Sequence, residues 1–339
     1  MAETSLRGAR GPLVQRLLAD YCQRNGLHLH LDETLGHAGF VEADTGKRSF
    51  FVGTRFSLNP QGSADLARDK AYTIEFLVRE GLPTPASLLI ASPGLIDTVT
   101  TKRPGYGKAL KSTDDALIFA REVGYPVFLK PNDGQEGKDV YRLQDEAELK
   151  ATLSALFPKH ERLLVQQAIP GKDLRFVVLD GEILGVIERK PPHIVADGHQ
   201  TIANLIRRSA IVRADNAQLL ATLKHQRYSL DDIPPSATKI DLLPTANLSS
   251  GGTGHFKDSP VDATLSRIAV DAGSALGLRY YAVDMIVDTA GWEPTQSATI
   301  LEVNAAPGFA QLHRQGPDQA AKVESIYERL FEAIRQSLF

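Results

Sequence analysis

The sequence predicts an α+β protein. Three observations carry that expectation: β-prone runs joined by short polar turns, amphipathic stretches that do not alternate regularly with them, and an Asp-Gly dipeptide set between two alternating runs. Asp180-Gly181 separates residues 175–179 from 182–187, the pattern of a tight hairpin, because both turn residues tolerate positive φ. Strands paired by hairpins, without a β-α-β rhythm, argue against a doubly wound parallel sheet. Gly134, Gly137 and Lys138 fit neither the dinucleotide nor the P-loop spacing, so a nucleotide would have to be held another way.

Taken in order, β-prone runs at 27–31, 39–43 and 49–53, with the turn Asp44-Thr45-Gly46, predict a small N-terminal sheet unit. A helix is predicted over 63–80, where Ala67, Ala71, Ile74, Leu77 and Val78 recur at helical spacing before the stop at Gly81 and Pro83. A strand at 87–91, a helix at 113–123 and a strand at 125–131 follow, and then a glycine-containing loop to 137. Strands at 280–287 and 298–304 flank a polar loop, 288–297, and an amphipathic helix over 317–338 closes the chain.

The bulk numbers narrow the function classes. With 339 residues, 42% hydrophobic and 23% charged, the chain can bury two or three packed units. Lys plus Arg number 38 against 41 Asp plus Glu, so no broad cationic field exists for a nucleic-acid backbone, and nucleic acid is not expected as a partner. The single cysteine, Cys22, excludes an internal disulfide framework and a cysteine-rich zinc site; a structural role and a reducing, cytoplasmic setting are expected. Arg7, Arg10 and Arg16 interrupt the apolar stretch a signal peptide needs, and no run reaches the roughly 18–20 apolar residues of a membrane span.

Glu302 and Asn304 stand two apart on a predicted strand and therefore share a face. If the preceding strand pairs with theirs, Asp284 joins them, and three oxygen donors converge as a hard cation such as magnesium prefers; a polar face turned to water is the alternative. Lys70 and Lys130 form a second constellation, Lys130 ending a β-prone run just before the loop 132–137, whose backbone N–H groups could lie over phosphates. Each lysine taken alone also fits a solvated surface charge. His28 and His30 share a strand face but fit ordinary surface; His199, His255 and His313 lie in or beside motif segments and are candidates for substrate contact.

The ordered stretches Asp69-Lys70, Gly81-Leu82-Pro83-Thr84-Pro85, Tyr125-Pro126-Val127-Phe128-Leu129-Lys130-Pro131 and Leu301-Glu302-Val303-Asn304 closely resemble the ATP-grasp superfamily over residues 66–335. Asn247-Leu248-Ser249-Ser250-Gly251-Gly252, Ala196-Asp197-Gly198-His199-Gln200-Thr201-Ile202 and Asn304-Ala305-Ala306-Pro307-Gly308 look like the ATP-grasp region of cyanophycin synthetases and glutathione-synthetase-type ligases. The resemblance implies two α+β lobes clasping ATP, at 66–168 and 169–339, after a small N-terminal α/β domain at 1–65. It implies that Lys70, Lys130 and the Gly134–Gly137 loop meet the phosphates, that Gln166, Gln167, Ala168 and Ile169 form the hinge beside adenine, and that Asp173 lies near the ribose. Asp284, Glu302 and Asn304 would hold two magnesium ions, for which manganese could substitute, and Arg175 and Arg189 would stand at the transferred phosphate. Asn247, Ser249, Ser250, Gly251, Gly252 and Gly308 would contact substrate.

The implied activity joins a carboxylate to an amine of an amino acid or small peptide through an acyl phosphate, in a homodimer or homotetramer. An ATP-grasp phosphotransferase acting on a hydroxyl is the alternative. Cyanophycin synthetases continue into a further ligase domain that is not found here, so polymerisation of two amino acids is not expected.

Overall fold

The structure, a computed structural model, describes residues 11–134, 136–209, 211–258, 262–287 and 298–339. Arg7, Arg10 and the polar loop expected between the last two strands lie outside them.

A helix, Leu13–Arg24, begins the N-terminal unit and buries Leu18, Tyr21 and Cys22, whose thiol burial pushes up to about 12. Strands β1 (His28–Leu31), β2 (Ala38–Glu42), β3 (Arg48–Val52) and β4 (Arg55–Phe56) follow as an antiparallel meander, the first three within a residue of the predicted runs. Where one helix is expected over 63–80, there are two, Gln61–Arg68 and Lys70–Arg79. Asp69 breaks them apart. Its backbone is extended, and its carboxylate accepts the Tyr72 N–H at 3.1 Å and Arg162 Nη1 at 2.9 Å, so N-capping replaces a continuous helix.

Next come β5 (Ser87–Ala91), β6 (Val127–Pro131), β7 (Tyr141–Leu143) and β8 (Arg162–Gln167), forming a sheet in the order β5-β8-β6-β7. The helix Thr113–Val123, at its predicted bounds, begins with a reciprocal Ser112–Asp115 capping box. With the helix Glu146–Leu156 it packs Leu117, Ala120, Leu149 and Leu153 against Val127, Leu129, Leu163 and Val165.

Strands β9 (Lys172–Leu179) and β10 (Glu182–Lys190) are the expected hairpin, with Asp180 at φ 49° and Gly181 at φ 81° in the turn. The chain then builds a small unit from β11 (His193–Val195), β12 (Lys239–Asp241) and the helices Ile202–Ser209 and Ala217–His225. This unit has its own core of Ile194, Ile202, Leu219 and Leu223. Strands β13 (Thr253–Phe256), β14 (Tyr280–Val287) and β15 (Ala298–Asn304) complete a five-stranded sheet in the order β13-β10-β9-β14-β15, and the helix Pro317–Ser337 closes the chain.

The two faces of this larger sheet pack differently. Phe176, Val178, Val283 and Met285 meet the helices Lys70–Arg79 and Ala263–Ala275, so Leu77 lies in this core although the sequence places its helix in the lobe of residues 66–168. On the opposite face, Val177, Leu179 and Tyr280 join Leu18, Phe51 and Phe56 of the N-terminal unit and Tyr327 and Phe331 of the closing helix. The N-terminal meander therefore shares a core with the large sheet.

Candidate active site

Register alone assembles the polar face. Asp284 on β14 stands opposite both Arg175 on β9 and Glu302 on β15, and Asp173 stands opposite Arg189 on β10. Side chains two apart share a face, so Asp173 and Arg175, like Glu302 and Asn304, lie together. On this same face Val177 and Leu179 serve the core, so one strand surface passes from apolar packing to charged groups along its length.

Asp284 is 1% exposed, which requires its charge to be matched. Arg175 grips it with two parallel bonds, Nε to Oδ1 at 2.6 Å and Nη2 to Oδ2 at 2.7 Å, and Arg189 Nη2 stands 3.1 Å from Oδ2. Burial pulls the carboxyl upward, but the two guanidiniums prevail and hold it well below the usual carboxylate range. Asp173 accepts from Arg189 Nε at 2.8 Å; burial, with Asp284 adding its repulsion, pushes it up to about 6 against the pull of that arginine. Asn304 Nδ2 donates to Glu302 Oε1 at 3.1 Å and lies 3.4 Å from Asp284 Oδ2. The three expected metal-holding residues are thus adjacent. They offer hard oxygen donors of net negative charge, which fits magnesium; Asp284 meanwhile is engaged by arginine.

The expected nucleotide residues gather across the cleft. Lys130, at the end of β6, donates to Gln166 Oε1 at 2.8 Å, and Gln166 Nε2 reaches Ser87 Oγ at 3.0 Å. Burial lowers the Lys130 ammonium to about 8, with Glu302 pulling the other way and Lys70 adding to the fall. Gln166 thus supports the lysine; Gln167, Ala168 and Ile169 follow it along the cavity wall. Lys70 donates to the Gly134 carbonyl at 2.7 Å.

Gly137, at φ 70°, has Asn247 Nδ2 only 2.2 Å from where a Cβ would sit, so any side chain would collide. Ser250 Oγ donates to the Glu136 carbonyl at 2.8 Å, and Gln218 Nε2 donates to the carbonyls of Gly137 and Val140. The loop is thereby tied to the small unit and to the 247–250 segment.

A cavity of about 2220 Å³ joins these groups, well above the roughly 300–1,000 Å³ of a site for one small molecule. Asn247, Ser249 and Gly308 line it. Ser250, Gly251 and Gly252 do not: Ser250 braces the loop, while Gly252 is wedged against the carbonyls of Ala246, Asn247 and Lys190. The three candidate histidines also stand away from the lining. His199 belongs to a turn in which Asp197 accepts the His199 and Gln200 N–H groups, and His313 pairs with Glu324. The exposed His255 lies on β13. His28 pairs with Asp44, as an ordinary surface residue would, and His30 with Glu42. What sequence reasoning missed is that His30, Phe40, Phe50 and Arg55 of the N-terminal sheet form part of the wall.

Residues 67–199 match the RimK-like ATP-grasp domain family, and the chain carries an ATP-grasp domain. Cyanophycin synthetase of Trichormus variabilis is 30% identical over 263 residues, which take in 72% of this chain and 27% of that protein. The bifunctional glutathione biosynthesis protein of Streptococcus agalactiae is 26% identical over 276 residues, 72% of this chain and 36% of the relative. The chain therefore spans about a quarter to a third of the length of these relatives. Among solved structures, the bifunctional glutathione synthetase of Pasteurella multocida superposes with a TM-score of 0.55 at 20% identity, over 96% of this chain and 45% of that one. A D-alanine–D-alanine ligase from Bacillus anthracis gives 0.51 at 17% identity, over 82% and 70%. Both share the ATP-grasp fold.

Among the described residues, no helix is long and apolar enough to cross a membrane.

Proposed function

We propose that this protein is an ATP-dependent carboxylate–amine ligase acting on amino acids or small peptides. The observation that carries the reading is the continuous face Arg189–Asp173–Arg175–Asp284–Glu302–Asn304 set across a large cavity from Lys130 and Lys70. The names of the relatives, a cyanophycin synthetase and a glutathione biosynthesis protein, support it.

In the first step a carboxylate oxygen of the substrate attacks the γ-phosphorus of ATP; the new O–P bond forms as the β–γ bridge breaks, and ADP leaves. In the second, the amine nitrogen attacks the acyl carbon, the C–O bond to phosphate breaks, and the amide forms as the nitrogen loses a proton. Negative charge gathers on the transferring phosphoryl group, and Arg175, Arg189, Lys70 and Lys130 are fixed cations aimed at that region. Asp284, Glu302 and Asn304 would hold magnesium, which supplies positive charge to the phosphate oxygens. Asp173 orients Arg189, and Gln166 orients Lys130. The backbone of Ala168 and Ile169, just beyond β8, is offered to adenine, the Gln167 N–H being given to the Ala86 carbonyl at 2.9 Å.

The test is ADP and phosphate release with ATP and magnesium against amino acids and dipeptides, singly and in pairs, with mass spectrometry of products. Pair-dependent ADP with a new amide mass is expected. A phosphorylated hydroxyl acceptor without amide, or no turnover with any pair, overturns the reading.

A further inference from the structure

The N-terminal sheet breaks the usual rule for an antiparallel sheet with one buried face, whose outer side is ordinarily polar. Phe51 and Phe56 point into the core, as expected of the inner face. Phe40, Phe50, Val52 and Arg55 point the other way, because Phe40 is paired with Phe50 and Val52 with Arg55, and cross-strand partners share a face. Phe50 is 56% exposed and Val52 43%. The rings form a row, His30 stacked on Phe40 at 4.4 Å and Phe40 to Phe50 at 5.4 Å, and all of these residues line the cavity.

This row runs toward the reaction centre. The Gly53-Thr54 turn beside Arg55 is fastened to the loop after β15, Thr54 Oγ1 donating to the Ala306 carbonyl at 3.0 Å, and Asn59 Nδ2 holds the Ala305 carbonyl at 2.8 Å. Other cations of the sheet are matched: Arg48 and His30 by Glu42, His28 by Asp44, and Arg48 also lies over the Phe40 ring at 4.6 Å. Beyond its backbone pairing with Val52, the exposed Arg55 guanidinium makes no hydrogen bond or ion pair with the other described residues. A guanidinium left without an anion on the wall of a cavity is suited to a carboxylate, which it can grip with two bonds.

We propose that this face binds the amine substrate, an amino acid or short peptide with an apolar or aromatic side chain: Arg55 holds its free carboxylate, and the exposed Phe50 and Val52 take the side chain, with Phe40, stacked between His30 and Arg48, as their backing. The assignment rests on the ligase reading for which substrate is which. The carboxylate to be activated belongs beside Arg175 and Arg189, and the nucleotide beside Lys70, Lys130 and residues 166–169. The wall under the N-terminal sheet is the part of the cavity left for the second substrate. Its contact with the Ala305–Gly308 loop brings the amine end toward the activated carbon while the carboxylate stays at Arg55.

The experiment is calorimetric titration of the full chain, with ADP and magnesium present, using phenylalanine, leucine, glycine, aspartate, dipeptides ending in phenylalanine or leucine, and the C-terminal amide of each. In separate mixtures with ATP, magnesium and a second amino acid as carboxylate donor, amide formation is followed by mass spectrometry. Aromatic and apolar ligands with a free carboxylate should bind more tightly than their amides. Arg55→Ala should weaken them on the order of 10- to 100-fold and remove the preference over the amide, with Arg55→Lys recovering part of it. Phe50→Ala should weaken the phenylalanine ligands more than glycine. Binding that follows this pattern without amide formation would keep the subsite and defeat the ligase reading. The subsite is overturned if Arg55→Ala leaves affinity unchanged, if carboxylate and amide bind alike, or if no ligand of the panel binds. Equally decisive against it would be Phe50→Ala dissociating a dimer without changing ligand affinity, which would make the face an interface between copies.

Discussion

The large sheet and the N-terminal sheet border the same cavity in opposite states. On the large sheet, every charge named above already has a partner: Asp284 is held by two arginines, Asp173 by one, and Glu302 by Asn304. On the N-terminal sheet, the Phe50 ring lies exposed and the Arg55 guanidinium faces the cavity with no anion among the described residues. Groups that stabilise charge in a transition state gain from being fixed in advance, since no reorganisation is then needed during the reaction. A surface that selects a substrate can wait for the substrate to satisfy it. On the proposed reading, the two walls divide the work between chemistry and choice.

Breaking the networked wall should cost most. Asp284→Ala strips Arg175 of its bidentate partner while Arg189 keeps Asp173, and a loss of about 3–5 kcal/mol is expected for the broken buried pair, read as a lowered thermal and denaturant midpoint. Glu302→Gln keeps the shape and the bond from Asn304 but removes a partly exposed charge. It should retain the wild-type melting temperature while ADP formation falls about 10²- to 10³-fold, and unchanged product formation would dismiss Glu302 from the site.

A third prediction concerns pH. Burial lowers Lys130 to about 8, so the free protein loses this cation as pH rises through that value. Bound phosphate favours the charged form, and binding above pH 8 must then take up a proton. ADP affinity measured by calorimetry should therefore fall between pH 7 and 9, by at most about tenfold per unit, since one pKa unit is about 1.4 kcal/mol. Lys130→Arg should flatten the profile; a flat profile in the wild type would remove Lys130 from the phosphate contacts. The smallest effect expected is that of Gly137→Ala. Positive φ and the Asn247 amide together cost about 1 kcal/mol or somewhat more, and the change should appear as faster amide hydrogen exchange in the loop around 136–140.

How far the sequence foretold these walls follows from how local each signal is. Glu302 and Asn304 share a face by strand period alone, and the Asp180-Gly181 turn needs only its own two residues. Both were readable. The break at Asp69 was not, because five apolar residues at helical spacing hide an N-cap whose carboxylate is also held by Arg162, far along the chain. His199 is only a candidate for substrate contact or proton transfer when sequence is the sole guide; the structure shows the Asp197 carboxylate closing a turn on the His199 and Gln200 N–H groups. Arg55 and Phe50 carry no motif at all. Their place on the cavity depends on a turn resting on a loop some 250 residues later, a relation that neither composition nor periodicity records.

The helix Lys70–Arg79 has one further consequence. Its body is anchored in the large sheet's core by Leu77, while its first turn is fastened to the other sheet: the Lys70 and Ala71 N–H groups both donate to Asn132, and Asp69 holds Arg162. The helix is a strut between the two halves, and Asn132, at the foot of the phosphate-facing loop, is its pivot. Lys70, at the head of this strut, also donates to the Gly134 carbonyl, so the same cation that faces the cavity is fastened to both sheets at once.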